Sequence, residues 1–218
     1  MRFPFAEYAR RELVVFGSIG LAATGLSLAF CPYVAPVPFL GLLFVVYFFR
    51  DPRRDVPDLQ EVLLAPADGK IVEISEVDEA DFIKGPAYKI GIFLSVFNVH
   101  VNRSPVPGTV EFLRYEPGQF KAAFHPQASH LNENNVIGIN CDEDRLGKVV
   151  VKQIAGVIAR RIVCACDVED VVTRGQKIGM IKFGSKTELY VPRNDNVVIT
   201  VAKGDKVMAG VTILGAVA

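Results

Sequence analysis

Two regimes of hydrophobic patterning divide the chain. Residues 13–49 contain no charged side chain, an uncharged run of 37 residues against the roughly 20 that one membrane-crossing helix requires. Pro32, Pro36 and Pro38 interrupt the run, and proline ends or kinks a helix. The pattern therefore predicts two apolar helical segments, 13–30 and about 34–49, folded back on each other at a tip over 31–38. The second segment is short for a full crossing. Arg10 and Arg11 precede the run and Arg50, Arg53 and Arg54 follow it, so the positive-inside rule puts both ends on the cytoplasmic side. A secretory signal peptide would have a shorter apolar core and a small-residue cleavage site. Phe30, the residue before Cys31, is too bulky for a lipoprotein cleavage site. The expectation is a membrane hairpin over residues 1–50. A second domain over 51–218 then lies at the cell membrane, facing the cytoplasm.

From residue 62 the pattern changes to short β-type runs. Residues 62–65 and 71–74 flank Pro66-Ala67-Asp68-Gly69-Lys70, which reads as a hairpin because Asp-Gly is a strong turn signal. Residues 88–96 are apolar and rich in β-formers, and 108–115 alternate like a half-buried strand. Residues 136–141, 147–154 and 161–166 read as further strands; 155–160 is compatible with a helical turn, and 116–135 is polar and irregular. Val172-Thr173-Arg174-Gly175-Gln176-Lys177-Ile178 is echoed by Val201-Ala202-Lys203-Gly204-Asp205-Lys206-Val207. Both stretches read as strand, glycine turn, strand, as in biotinyl/lipoyl-type sandwiches. The predicted fold class is mainly β (α+β), a β-sandwich or barrel-sandwich-like domain preceded by the helical hairpin.

Composition narrows the function. The 218 residues carry 24 basic and 24 acidic side chains, 50% are hydrophobic, and mean hydropathy is +0.30. No basic tract points to nucleic acid. Cys31, Cys141, Cys164 and Cys166 include one C-x-C pair with no histidine near it in sequence, so a structural zinc site is not expected, nor any other metal. The cysteines read as reduced, mostly buried thiols of a cytosolic domain. There is no tryptophan and only three histidines, which leaves few groups able to titrate near neutral pH.

The candidate chemistry centres on Gly184-Ser185, between strand-like runs. Glycine reaches backbone angles closed to other residues, and the adjacent hydroxyl is placed to attack its own chain. His100 follows the apolar run 88–96 and precedes a turn; Asp68 occupies the Asp-Gly turn. Serine, histidine and aspartate are the parts of an activated nucleophile, and such groups assemble in space irrespective of chain order. His125 and His130 lie in the polar loop and are further candidates for the proton transfers. No P-loop, G-x-G-x-x-G, H-E-x-x-H or G-x-S-x-G motif occurs.

Five motifs together resemble the short form of phosphatidylserine decarboxylase. They are Arg50-Asp51-Pro52-Arg53, Pro66-Ala67-Asp68-Gly69, Phe97-Asn98-Val99-His100-Val101-Asn102-Arg103, Gln153-Ile154-Ala155-Gly156 with Ala159-Arg160-Arg161, and Phe183-Gly184-Ser185. The resemblance covers essentially the whole chain. It implies a proenzyme that cuts itself between Gly184 and Ser185, giving a β chain 1–184 and an α chain 185–218 that stay together as a heterodimer. A dimer of that heterodimer is left open. Ser185 would become an N-terminal pyruvoyl group, the covalent cofactor. That group would decarboxylate phosphatidylserine to phosphatidylethanolamine by Schiff-base chemistry. Asp68 matches the aspartate of an Asp-His-Ser relay in longer relatives. Those relatives carry two histidines three residues apart, of which the first corresponds to His100, while Arg103 holds the second position. Phe-Gly-Ser-Lys stands where they have Leu-Gly-Ser-Thr.

Other readings stay open on the sequence. An ether-lipid (archaetidylserine) substrate would use the same headgroup chemistry. A non-enzymatic, membrane-tethered biotinyl/lipoyl-like adaptor fits the glycine-turn echo, though the Met-Lys carrier turn is missing. A self-splitting hydrolase would use Ser185 as an N-terminal nucleophile without a pyruvoyl group.

Overall fold

The structure is a computed structural model that describes residues 5–217 apart from 123, 124, 126, 144, 158–160 and 183. It divides into two compact units, Met1–Arg53 and Arg54–Ala218.

The first unit is a helical hairpin. Helix α1 spans Arg10–Phe30, and the apolar segment Glu7–Phe30 is long and apolar enough to cross a membrane, which points to membrane association. The chain leaves α1 at Cys31, whose N–H bonds to the Ser27 carbonyl at 2.8 Å. It turns through a 3-10 segment, Pro32–Val34, and enters α2, Pro36–Phe48. Pro36 sits in the first turn of α2, where its missing N–H costs nothing. The 13 residues of α2 extend about 20 Å at 1.5 Å per residue, less than a bilayer core of about 30 Å. Gly20 lets the two helices approach: a Cβ there would lie 3.1 Å from Leu42 Cβ. At the exit, Arg50 stacks 3.7 Å over the Tyr47 ring and donates to the Tyr47 carbonyl at 2.8 Å.

The second unit is antiparallel β throughout its sheets. Its strands are β1 (Val62–Leu64), β2 (Gly69–Glu79), β3 (Gly85–Leu94), β4 (Val101–Arg103), β5 (Gly108–Glu116), β6 (Asn134–Cys141) and β7 (Lys148–Ile154). They continue with β8 (Arg161–Cys164), β9 (Val171–Val172), β10 (Lys177–Lys182), β11 (Ser185–Pro192), β12 (Val197–Ile199), β13 (Lys206–Val207) and β14 (Ile213–Val217). A short helix α3 (Ala128–Leu131) lies between β5 and β6. Eight strands form one sheet in the order β13-β2-β3-β11-β7-β6-β5-β9; β4-β10-β8 and β1-β14-β12 form two smaller ones. Alternate residues Ile71, Ile90, Ile92, Ile137, Val151 and Leu189 enter the main core with no exposure. The mainly β fold with an N-terminal helical pair is as the sequence pattern predicts.

Several local expectations change. Asp68-Gly69 does not close a hairpin, because β1 pairs with β14 while β2 pairs with β3 and β13. Gly69 is required instead by close approach: a Cβ there would collide with the Phe93 carbonyl oxygen. The echoed glycine turns do form, with φ +75° at Gly175 and +108° at Gly204. The strands around Gly175 nevertheless part into different sheets, β9 joining β5 and β10 joining β4 and β8. Residues 155–157 are not helical, and the rest of the suggested helical turn, 158–160, lies outside the described residues, as do Ala159 and Arg160 of the fourth motif and Phe183 of the fifth.

Candidate active site around Gly184 and Ser185

Ser185 is the first residue of β11, a central strand of the large sheet, flanked by β3 and β7. Its register partner on β3 is Leu94, the last residue of that strand. Beyond Leu94 the chain makes a tight turn in which Asn98 Oδ1 accepts from the Ser95 N–H at 2.9 Å and from Ser95 Oγ at 2.7 Å. The turn delivers His100 to β10, where the Ile181 N–H bonds to the His100 carbonyl and Val101 pairs with Met180. Two neighbours of Gly184-Ser185, Leu94 and His100, thus come from one apolar strand and its terminal turn.

His100 is fully buried, and its two ring nitrogens have distinct partners. Nδ1 lies 2.9 Å from the Asn98 carbonyl oxygen. A carbonyl only accepts, so Nδ1 carries the proton and Nε2 presents its lone pair. That lone pair accepts the Gly184 N–H at 3.2 Å. Gly184 has φ +55°, in the left-handed region. Ser185 is fully buried, and its Oγ has no hydrogen-bond partner among the described residues. A buried hydroxyl left without a partner costs about 1–3 kcal/mol, and such an orphan calls for a chemical reason.

Asp68 lies elsewhere in the hydrogen-bond pattern. Its carboxylate takes Arg54 Nη2 at 2.7 and 3.0 Å and the Ala209 N–H at 2.8 Å. The His100 ring is oriented by the Asn98 carbonyl in the position where a relay aspartate was expected. Asp68 instead fixes the 66–68 segment, whose Pro66 carbonyl accepts from Asn102 Nδ2 and the Arg103 N–H. His125 and His130 are both exposed, and among the described residues neither bonds to Gly184 or Ser185.

Two buried polar systems hold β11 in place. On the Ser185 face, Asn102 donates to Thr187 Oγ1 at 3.1 Å, Gln153 donates to Asn102 Oδ1 at 2.9 Å, and Asn135 donates to Gln153 Oε1 at 3.0 Å. On the opposite face, Glu188 is fully buried and takes Lys186 Nζ at 2.8 Å, Lys89 Nζ at 3.2 Å, Ser129 Oγ at 2.6 Å and the Tyr190 hydroxyl at 2.7 Å. Burial pushes the Glu188 carboxyl up, but Lys186 and Lys89, with the Lys186 and Ser129 hydrogen bonds, outweigh it and hold the group down at about 2. Burial lowers Lys186, and Glu188 and Glu73 more than reverse that, so the ammonium is held above its ordinary value. These residues escaped the sequence reading because Lys186 and Glu188 alternate with Thr187 and Leu189 as a solvated strand face would, whereas the fold buries that polar face as well. Asn102 and Gln153 did stand in recognised motifs, but their partners are 85 and 51 positions away.

Comparison with known proteins decides the family. The family model for phosphatidylserine decarboxylase matches residues 42–215. The chain belongs to the phosphatidylserine decarboxylase family. Phosphatidylserine decarboxylase proenzymes of Carboxydothermus hydrogenoformans and Desulfotalea psychrophila are similar to it, at 49% identity over 81% of both chains and 45% over 97% of both chains. That of Rhodopirellula baltica is 44% identical over 96% of this chain and 87% of its own. Members of the phosphatidylserine decarboxylase family work as pyruvoyl-dependent carboxy-lyases that are made as proenzymes. The orphaned Ser185 hydroxyl beside a left-handed glycine fits a residue to be converted into that group.

Proposed function

We propose that this phosphatidylserine decarboxylase is of the short form and matures by breaking its own Gly184–Ser185 bond. The chain then yields a β chain 1–184 and an α chain 185–218 in one heterodimer. The observation that carries this reading is the pairing of His100 Nε2 with the Gly184 N–H at 3.2 Å, next to a buried Ser185 Oγ that has no partner among the described residues. Ser185 Oγ attacks the Gly184 carbonyl carbon, and the Ser185 nitrogen leaves it. His100 Nε2 exchanges the Gly184 N–H for the hydroxyl proton and acts as general base. The resulting ester loses the Ser185 α-proton, the Gly184 carboxylate leaves, and water replaces the nitrogen as ammonia.

Residue 185 is then the pyruvoyl group. Its ketone supplies a carbonyl for the substrate amine and an electron sink for loss of CO2 from phosphatidylserine, giving phosphatidylethanolamine. The protein positions this centre through β11: Thr187 is held by Asn102, and Lys186 and Glu188 are held by Glu73, Lys89 and Ser129. His100, with Nδ1 fixed on the Asn98 carbonyl, takes on Nε2 the proton that the substrate ammonium sheds and returns it to the substrate α-carbon. Asp68 acts as a positioning group through Arg54 and Ala209.

The domains follow the same logic. Residues 1–50 anchor the enzyme and 51–218 face the cytoplasm, because arginines flank both ends of the apolar run. A two-tailed lipid leaves a bilayer at about 0.8 kcal/mol per buried CH2, so the enzyme has to meet its headgroup at the surface. An archaetidylserine substrate would present the same headgroup. Ser185→Ala and His100→Ala chains, followed on denaturing gels beside the unaltered protein, test the assignment. The unaltered chain is expected to split into two fragments while Ser185→Ala stays whole. Splitting of Ser185→Ala at the same bond would overturn it.

A further inference from the structure

Outside the site just described, the C-x-C pair has a geometry that its lack of a role does not explain. Cys164 ends β8 and Cys166 follows one residue later, with Ala165 between them tied to β10 by its N–H on the Ile178 carbonyl at 3.0 Å. In extended chain, residues two apart point to the same side. Ala165 accordingly faces solvent, and the two sulfurs meet at 3.6 Å. Cys164 is half-buried and Cys166 buried. The Cys166 sulfur also points at the Ile178 carbonyl, 3.9 Å away.

We propose that Cys164 and Cys166 form a thiol–disulfide site, with Cys164 as the attacking and Cys166 as the resolving sulfur, oxidised by low-molecular-weight disulfides. The two sulfurs need to close from 3.6 Å to about 2.05 Å, an approach of about 1.5 Å that side-chain rotation and a small backbone adjustment supply. The roles follow from access and charge. A hydrogen bond from the Cys166 thiol, with one from the Asn135 side chain, favours the Cys164 thiolate against its burial, while the protonated Cys164 donates to the Cys166 carbonyl at 3.3 Å. The contact between the two sulfurs pushes the Cys166 thiol up. The accessible sulfur is therefore the nucleophile.

Cys164 thiolate attacks one sulfur of the small disulfide and expels the other half as a thiolate, leaving a mixed disulfide on Cys164. The Cys166 thiol gives up its proton, and its sulfur attacks Cys164 Sγ and expels the second half. Two electrons pass from the protein pair to the small disulfide, which ends as two thiols. The site is independent of the maturation reading, since it uses neither Ser185 nor His100.

The test is incubation of the full-length protein in detergent with oxidised glutathione at neutral pH, followed by alkylation and tryptic mapping. The peptide covering 162–174 is expected to lose two hydrogens and escape alkylation, and dithiothreitol should restore both thiols. Cys166→Ser is expected to hold a stable glutathione adduct on Cys164, whereas Cys164→Ser should carry neither cross-link nor adduct. Undiminished alkylation of both cysteines would overturn the proposal. A lasting adduct on Cys164 of the native chain, or oxidation of the buried Cys141 as fast as of the pair, would overturn it equally.

Discussion

Replacing Glu188 by glutamine removes one charge and almost no volume from the centre of the β11 cluster. Glu188 has no exposure, and four side chains converge on its carboxylate. Its carboxyl is held at about 2 against an ordinary value of 4.5. At 1.36 kcal/mol for each tenfold change in proton affinity, that gap corresponds to about 3 kcal/mol of folding stability. Because the folded-state value is depressed, this stability is fully present above pH 4.5 and is lost as the pH falls through about 2. Glu188→Gln should forfeit it at neutral pH, with Glu73 the one carboxylate still paired to Lys186 and Lys89 among the described residues. Breaking a buried pair from one side typically costs about 3–5 kcal/mol, and the remaining Glu73 keeps the expected loss near 3. For a unit of this size each kcal/mol moves Tm by about 2–4 °C, so a fall of about 6–12 °C is expected. The measurement is thermal unfolding by circular dichroism in detergent, on a Ser185→Ala background that keeps one chain, repeated from pH 7 down to 2. A Tm within about 2 °C of the parent would refute the reasoning. An unchanged acid limb between pH 4.5 and 2 would refute it as well.

Three further outcomes follow from the same geometry. His100→Ala should slow self-cleavage by about 10²–10⁴-fold, the usual worth of a general base, with partial rescue by added imidazole; time-resolved gels read the rate. Gly184→Ala meets open space, the nearest atom being Val96 Cγ1 at 3.8 Å. Its penalty is therefore the left-handed backbone, about 1–2 kcal/mol, seen as a lowered Tm in the uncut form. Gln153→Leu strands the amides of Asn102 and Asn135, which should lower stability by about 1–3 kcal/mol in urea unfolding.

The sequence pattern carried some elements further than others. Uncharged length and three prolines were enough to place the helical pair, because membrane helices announce themselves by composition. β5 was legible by its alternation and β6 as a short apolar run, which the fold buries on both faces, Ile137 and Ile139 in the main core and Val136 in a second cluster. β11 alternates as well, but its Lys186, Glu188 and Tyr190 face, which the pattern assigns to solvent, is covered and pairs charge with charge. The Asp68-Gly69 turn misled because the same dipeptide that closes hairpins also suits a crossover into a second sheet. For the site, Gly184, Ser185 and His100 were each visible as residue types, and the fold sets His100 against Gly184. The partner of His100 Nδ1 was not visible, because a backbone carbonyl such as that of Asn98 leaves no mark in residue identity.

The mass of the C-terminal fragment from the mature enzyme tests the central claim most directly. A fragment beginning at residue 185, with the serine amine replaced by a ketone and reactive toward hydrazine or borohydride, is the predicted result. An intact chain of 218 residues in a fully active preparation would contradict it, as would a fragment that begins with an unmodified Ser185.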